Sequence, residues 1–246
     1  MLKKRSRIWR LPLSFLLFSL ILTALLALCI GFSGQLSKSD STAGASPQKQ
    51  FTVVLDPGHG GEDGGAVSKS GILEKDLNLA IAKRAESYLK KMGVPVICTR
   101  SEDILLYDKN ADYEGRKKML DLAARLKIAK ETENAVFVSI HMNSFPETQY
   151  SGLQVYYSGN DPRSSTLANL IQKRVREELQ PTNSRKTKEA TSSIYLLDRI
   201  TSPAVLIECG FLSNAEECQK LSTEEYQDRL AEILAAAIAD YVASLS

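Results

Sequence analysis

Short apolar runs rich in β-branched residues alternate with stretches of helical period along most of this chain, and that alternation leaves few architectures open. Phe51–Asp56, Val94–Thr99, Ala135–Ile140, Gly152–Tyr157 and Ala204–Glu208 read as strands. Between them lie amphipathic segments. Glu74–Met92 places Leu77, Ile81, Tyr88, Leu89 and Met92 on one face and stops at Gly93. A second helix is expected over Glu114–Thr132. A third opens at Asp161-Pro162, as an N-cap followed by proline at N1, and carries Leu167, Leu170, Ile171, Val175 and Leu179. The last starts at a Ser222/Glu225 capping box and presents Leu230, Ile233, Leu234, Ala237, Ile238, Tyr241 and Leu245. Pro181–Ser193 reads as a polar surface loop and Ile194–Leu197 as one more short strand. Strands separated by helices predict an α/β domain, with one twisted, mostly parallel sheet flanked by helices on both faces.

The N-terminus has a different character. Residues 1–10 are basic, with Lys3, Lys4, Arg5, Arg7 and Arg10, and Leu11 to Phe32 carries no charge. As a helix, 11–32 is long enough to cross a bilayer core of about 30 Å. The positive-inside rule leaves 1–10 in the cytoplasm and the rest outside. An uncleaved transmembrane anchor is expected, since the run exceeds a usual signal core and no Ala-x-Ala site closes it; the alternative is a cleaved signal and a secreted protein. Residues 33–50, rich in Ser, Gly, Ala and Gln, read as a flexible linker. Residues 51–246 suffice for one domain with a large core.

The net charge of +2 comes partly from that basic segment, so the body is near neutral and nothing calls for a nucleic-acid partner. The four cysteines do not form a disulfide framework. Cys29 lies in the apolar N-terminal run, Cys98 and Cys209 in strand-like segments where buried free thiols are expected, and Cys218 in a helix. No Cys-x-x-Cys pair suggests a thiolate metal site.

The chain has two histidines, and both close apolar runs. His59 follows Val53-Val54-Leu55 in Asp56-Pro57-Gly58-His59-Gly60-Gly61, and His141 follows Val136-Phe137-Val138-Ser139-Ile140. Strand ends are where α/β proteins keep their sites. Two imidazoles there suggest a shared metal ion, and a carboxylate is the usual third ligand of a hydrolytic zinc site. Glu62, Asp63, Glu74, Asp76 and Glu208 are the candidates, and spacing leaves the choice among them open. Glu208 ends its own apolar run, so it points at the same rim and could act as a base and then an acid; a loop salt bridge is the plainer alternative.

Four blocks carry a resemblance. They are Leu55-Asp56-Pro57-Gly58-His59-Gly60-Gly61, Leu73-Glu74-Lys75-Asp76, Val138-Ser139-Ile140-His141-Met142-Asn143, and Leu206-Ile207-Glu208-Cys209-Gly210-Phe211-Leu212-Ser213-Asn214. In this order they resemble the zinc-dependent N-acetylmuramoyl-L-alanine amidases, which cut peptidoglycan between muramic acid and the first alanine of its stem peptide. The resemblance covers Phe51 to Tyr241 and implies that residues 51–246 form a catalytic domain. It implies His59, Glu74 and His141 as ligands of Zn2+, Glu208 as the catalytic glutamate, and a substrate contact at Asn143. Asp56, Gly58 and Gly61 match the loop that shapes the turn at the first ligand. Met142 and Cys209 depart from the family pattern without removing a ligand.

Thr182–Lys188, Ile194-Tyr195-Leu196 and Gly115-Arg116-Lys117 are similar to the spore-cortex, germination-specific amidases, as is the layout of one anchor and one catalytic domain. That likeness implies a role in muramic-lactam formation and germination. With no wall-binding module recognisable, localisation is left to the membrane anchor or to an accessory protein. The rival readings are another zinc-dependent cell-wall hydrolase, such as a carboxypeptidase or deacetylase, and a membrane-tethered peptidoglycan-binding module with an inactive site. Lys173, Arg174 and Arg176 read as a solvated helix face. Arg185, Lys186 and Lys188 could meet an anionic glycan or a partner, or simply face solvent.

Overall fold

The computed structural model describes residues 49–107 and 115–245. The expected basic segment, anchor and nearly all of the linker lie outside them. Among the described residues no helix is long and apolar enough to cross a membrane.

The chain runs β1 (Thr52–Pro57), α1 (Glu74–Lys91), β2 (Val96–Cys98), α2 (Lys117–Glu131), β3 (Ala135–Asn143), β4 (Gln154–Tyr157), α3 (Arg163–Glu178), β5 (Lys188–Glu189), α4 (Tyr195–Arg199), β6 (Ala204–Phe211), α5 (Ala215–Leu221) and α6 (Glu224–Ala243). The strands form one six-stranded sheet in the order β2-β1-β3-β6-β4-β5. β4 runs antiparallel to β6 while the other neighbours are parallel, so the sheet is mixed. Strand direction is invisible in a run as short as Gln154–Tyr157, because apolar content is the same read either way.

Alternation along each strand divides the core in two. Val53, Leu55, Val136 and Val138 face α1, α3 and α6, with Ile81, Leu89, Leu167, Ile171, Leu234 and Ile238 packed on them. Val54, Phe137 and Leu206 face the other way, against Ala129 of α2 and Leu196 and Leu197 of α4. Helices therefore cover both faces, as expected.

Three local expectations are corrected. Ile194–Leu197 is not a strand: Tyr195–Arg199 is the helix α4, a single turn that lays Leu196 and Leu197 on the sheet. So short an apolar run carries no period to separate the two conformations. The last helix is capped one residue later than expected, by Thr223, whose Oγ1 accepts from Tyr226 N; Ser222 instead closes α5, its hydroxyl donating to Cys218 O at 2.6 Å. The 181–193 loop is not wholly irregular, since Lys188–Glu189 adds the edge strand β5 to β4. At the third helix Asp161 Oδ1 accepts Arg163 N at 2.9 Å, while Pro162, already helical in backbone, holds the flanking position. Cys209 and Cys218 are buried free thiols, and Cys98 is partly exposed.

Candidate metal centre

The C-terminal ends of β1, β3 and β6 meet at one edge of the sheet. His59 leaves β1 in a left-handed backbone conformation, φ 62°, which only the surrounding contacts make tolerable for a residue with a Cβ. Gly58 precedes it because a Cβ there would fall on the ring of His141. Gly65, at φ 68°, likewise leaves room for Glu74 and the His59 ring. These glycines let two loops and an imidazole occupy nearly the same space.

Three of the proposed ligands converge. His59, Glu74 and His141 each offer a donor atom, and these atoms lie within 4.8 Å of one another. The two imidazole rings are T-shaped with centroids 5.0 Å apart. Glu74 stands in the first turn of α1 and is 3 % exposed. Its Oε1 lies 2.9 Å from His141 Nδ1 and accepts from Met142 N at 3.0 Å; its Oε2 accepts from Ala66 N at 2.8 Å and lies 3.3 Å from His59 Nε2. Burial opposes its charge, but the two histidines more than offset that and hold its carboxyl well below the usual range. An anionic carboxylate between two imidazoles is the donor set a zinc-like cation takes, so these residues fit such an ion.

Other carboxylates fall into different places. Asp63 Oδ2 sits 2.9 Å from His59 Nδ1, but the pair is not aligned as a hydrogen bond. Burial opposes a charge on His59, yet Asp63 and Glu74 outweigh it and raise the imidazole to about 9. The same contact lowers Asp63 to about 2. Glu62 is exposed and pairs with Lys117 Nζ at 2.7 Å, and Asp76 faces solvent. Neither joins the cluster.

Glu208 lies in register with His141 on the adjacent strand β6, so their side chains share a face. Its Oε2 is buried without a hydrogen-bond partner. Burial pushes this carboxyl up to about 7. The register then slips between His141 and Asn143, which sets Asn143 opposite Phe211. Asn143 lines a cavity with Phe145, Gln154, Tyr156, Arg185 and Phe211.

A buried network behind the cluster escapes the sequence. Arg125 of α2, 1 % exposed, donates to Asp56 Oδ1 at 2.6 Å, Pro57 O at 2.8 Å and His59 O at 2.7 Å. Asp121 Oδ2 accepts from Arg125 Nε at 2.7 Å, and Asp56 also accepts from Thr99 and Ser139. Arg100 donates to Pro57 O and Gly58 O. Two arginines therefore grip the carbonyls of the loop that carries His59. Burial opposes the Asp56 charge, but Arg125 and the hydroxyls keep the carboxyl below its ordinary value.

The family model for N-acetylmuramoyl-L-alanine amidase matches residues 53–240. The germination-specific N-acetylmuramoyl-L-alanine amidase of Bacillus subtilis is 40% identical over 220 residues, covering 89% of each chain. The CwlD amidase of Clostridioides difficile, solved in complex with the GerS lipoprotein, superposes with a TM-score of 0.74 at 37% identity, covering 79% of this chain and 100% of that one. The catalytic domain of CwlV, an amidase of Bacillus (Paenibacillus) polymyxa var. colistinus, superposes with a TM-score of 0.66 at 34% identity, covering 79% of this chain and 99% of its own.

Proposed function

This chain belongs to the N-acetylmuramoyl-L-alanine amidase family, and on that premise we propose that His59, Glu74 and His141 hold Zn2+ and that Glu208 moves the proton in cleavage of the muramoyl–alanine amide of peptidoglycan. The observation that carries the reading is the convergence of one carboxylate and two imidazoles from separate loops beside a carboxyl whose Oε2 has no partner. When bound, the cation supplies a Lewis acid for the amide carbonyl and lowers the pKa of water. Glu208, unpaired and raised to about 7, is poised to take a proton from the attacking water at Oε2 and to return it to the departing alanine nitrogen. Glu74, kept anionic, is suited to ligation rather than proton transfer. Arg125 and Arg100 hold the His59 loop in its strained turn. Asn143 lines the cavity at the same edge, which supports a substrate contact there.

Identity to a germination-specific relative supports action on spore cortex, and the relative solved with a lipoprotein supports an accessory protein partner. The uncharged run 11–32 supports an extracytoplasmic body anchored by that segment, joined by residues 33–50 to the catalytic domain over 51–246. Digestion of purified peptidoglycan by the full chain, read by mass spectrometry, tests the reaction. Glycan stripped of peptide together with intact stem peptide supports the amidase; a shortened peptide supports a carboxypeptidase, and lost acetyl groups a deacetylase. Chelation should abolish the activity and added zinc restore it.

A further inference from the structure

Beside Glu208 the edge of the sheet opens into a concavity of about 260 Å³, of whose lining the proposed reaction uses only Asn143. Gln154 of β4 lies in register with Glu208, and Phe211 with Asn143, so its floor adjoins the reacting end of the sheet. Its wall is Arg185. The guanidinium lies 4.5 Å over the Phe211 ring and 5.9 Å from that of Tyr150. Nη1 donates to Gln154 Oε1 at 2.8 Å and Nε to Ser151 O at 3.0 Å. The backbone behind it is fixed too: Arg185 N donates to Asn183 Oδ1 at 2.9 Å, and Arg176 donates to Arg185 O.

Arg185 is thus oriented entirely by neutral groups. Among the described residues no carboxylate forms an ion pair with it, and no hydrogen bond engages Nη2. A half-buried cation whose hydrogen bonds all go to neutral acceptors, with Glu217 acting on it only at a distance, keeps most of its charge for something else. Lys188 adds a second positive group to the same cavity. Past Arg185 a larger cavity of about 650 Å³ opens, lined also by Tyr150 and Arg185, so the groove continues away from Glu208.

Resting on the amidase reading above, we propose that this groove seats the peptide half of the substrate, and that Arg185 is a specificity-determining residue that binds one of its carboxylates. Charge selects the peptide over the glycan. The carboxyl of the muramoyl unit is consumed in the scissile amide, which leaves hydroxyls and acetamides on the sugar side, whereas the peptide keeps at least its terminal carboxylate. A guanidinium fixed in advance loses little freedom on pairing with that carboxylate.

The test compares muramoyl-L-alanyl peptides bearing free carboxylates with the same peptides converted to carboxamides, using the full chain loaded with zinc. Wild type should favour the acidic peptide in kcat/KM by at least about tenfold, with the difference in KM. Arg185→Gln should bring the ratio close to one, and Arg185→Lys should recover part of it, with zinc content equal in all three proteins. A wild-type ratio near one, or an Arg185→Gln protein that slows on both peptides while keeping the ratio, overturns the assignment. A wild-type chain inert to both peptides removes the amidase reading on which it rests.

Discussion

Glu74 and Glu208 are the same residue type at one edge of one sheet, and their surroundings are opposite. Both oxygens of Glu74 are engaged, by His141, Met142 N, Ala66 N and His59, and its carboxyl is held ionised. Glu208 has an oxygen buried with no partner, and its carboxyl is raised to about 7, chiefly by burial and in smaller part by the charge of Glu74. Environments that drive two carboxyls apart separate a ligand from an acid–base group. The contrast extends to their supports. β1 and β3 are backed by Asp56, Arg125 and Arg100, whereas the β6 side offers Glu208 a groove of aromatic and neutral groups with a cation on its far wall.

The strongest way to break the comparison is to remove only the acid–base capacity. Glu208→Gln keeps the shape and leaves the proposed metal ligands His59, Glu74 and His141 intact. Peptidoglycan cleavage should fall by about 10²–10⁴, while zinc bound per chain, measured by elemental analysis, stays at the wild-type value. A variant that loses zinc in proportion to activity would place Glu208 among the ligands and erase the distinction.

The halves also differ in how far the sequence discloses them. His59, His141 and Glu208 are legible because each ends an apolar run, and strand ends converge in a parallel sheet. Spacing alone does not choose Glu74 over Glu62, Asp63 and Asp76, since that depends on where α1 begins and which way its first turn faces; the family resemblance of the Leu73-Glu74-Lys75-Asp76 block is what singles it out. Arg100 and Arg125 carry no local signal. Each is a charge on a polar stretch, and their partners Pro57, Asp56 and His59 lie far off in the chain. The groove is equally hidden, because Arg185 meets Phe211 only after β4 has entered the sheet antiparallel to β6. Short elements fail for a related reason: Tyr195–Arg199 takes its helical form from the sheet beneath it.

The supporting network gives the next prediction. Arg125→Met leaves the Asp56 carboxylate buried without its cation and His59 O without a donor. Breaking a buried pair from one side costs about 3–5 kcal/mol, to be read from urea unfolding of the metal-free protein. A loss below about 1 kcal/mol would mean that Thr99 and Ser139 alone suffice for Asp56. Asp63 supplies a milder perturbation, because it touches His59 from outside the cluster. Asp63→Asn should weaken zinc binding about tenfold, the low end of what losing an outer partner of a ligating histidine costs, because a charge contact and no aligned hydrogen bond is removed, measured by competition with a chelator. An unchanged affinity would show that the backbone turn alone orients the ring.

The smallest effect bears most directly on the contrast, because it concerns stability and not turnover. A carboxyl whose folded pKa is raised by burial favours the native state while it is protonated. For Glu208 that contribution is fully present below the ordinary carboxyl pKa of 4.5 and is lost as pH rises through about 7. Above that pH the native protein must hold a charge at an oxygen with no hydrogen bond. Glutamine carries no charge there, so metal-free Glu208→Gln should be more stable than metal-free wild type at pH 8 by on the order of 1–2 kcal/mol. The difference should shrink toward pH 4.5, where wild type is neutral at this position as well. Urea unfolding at the two pH values measures it. A stabilisation that did not vary with pH would come from packing, and Glu208 would then be no more strained by its surroundings than Glu74 is by its own.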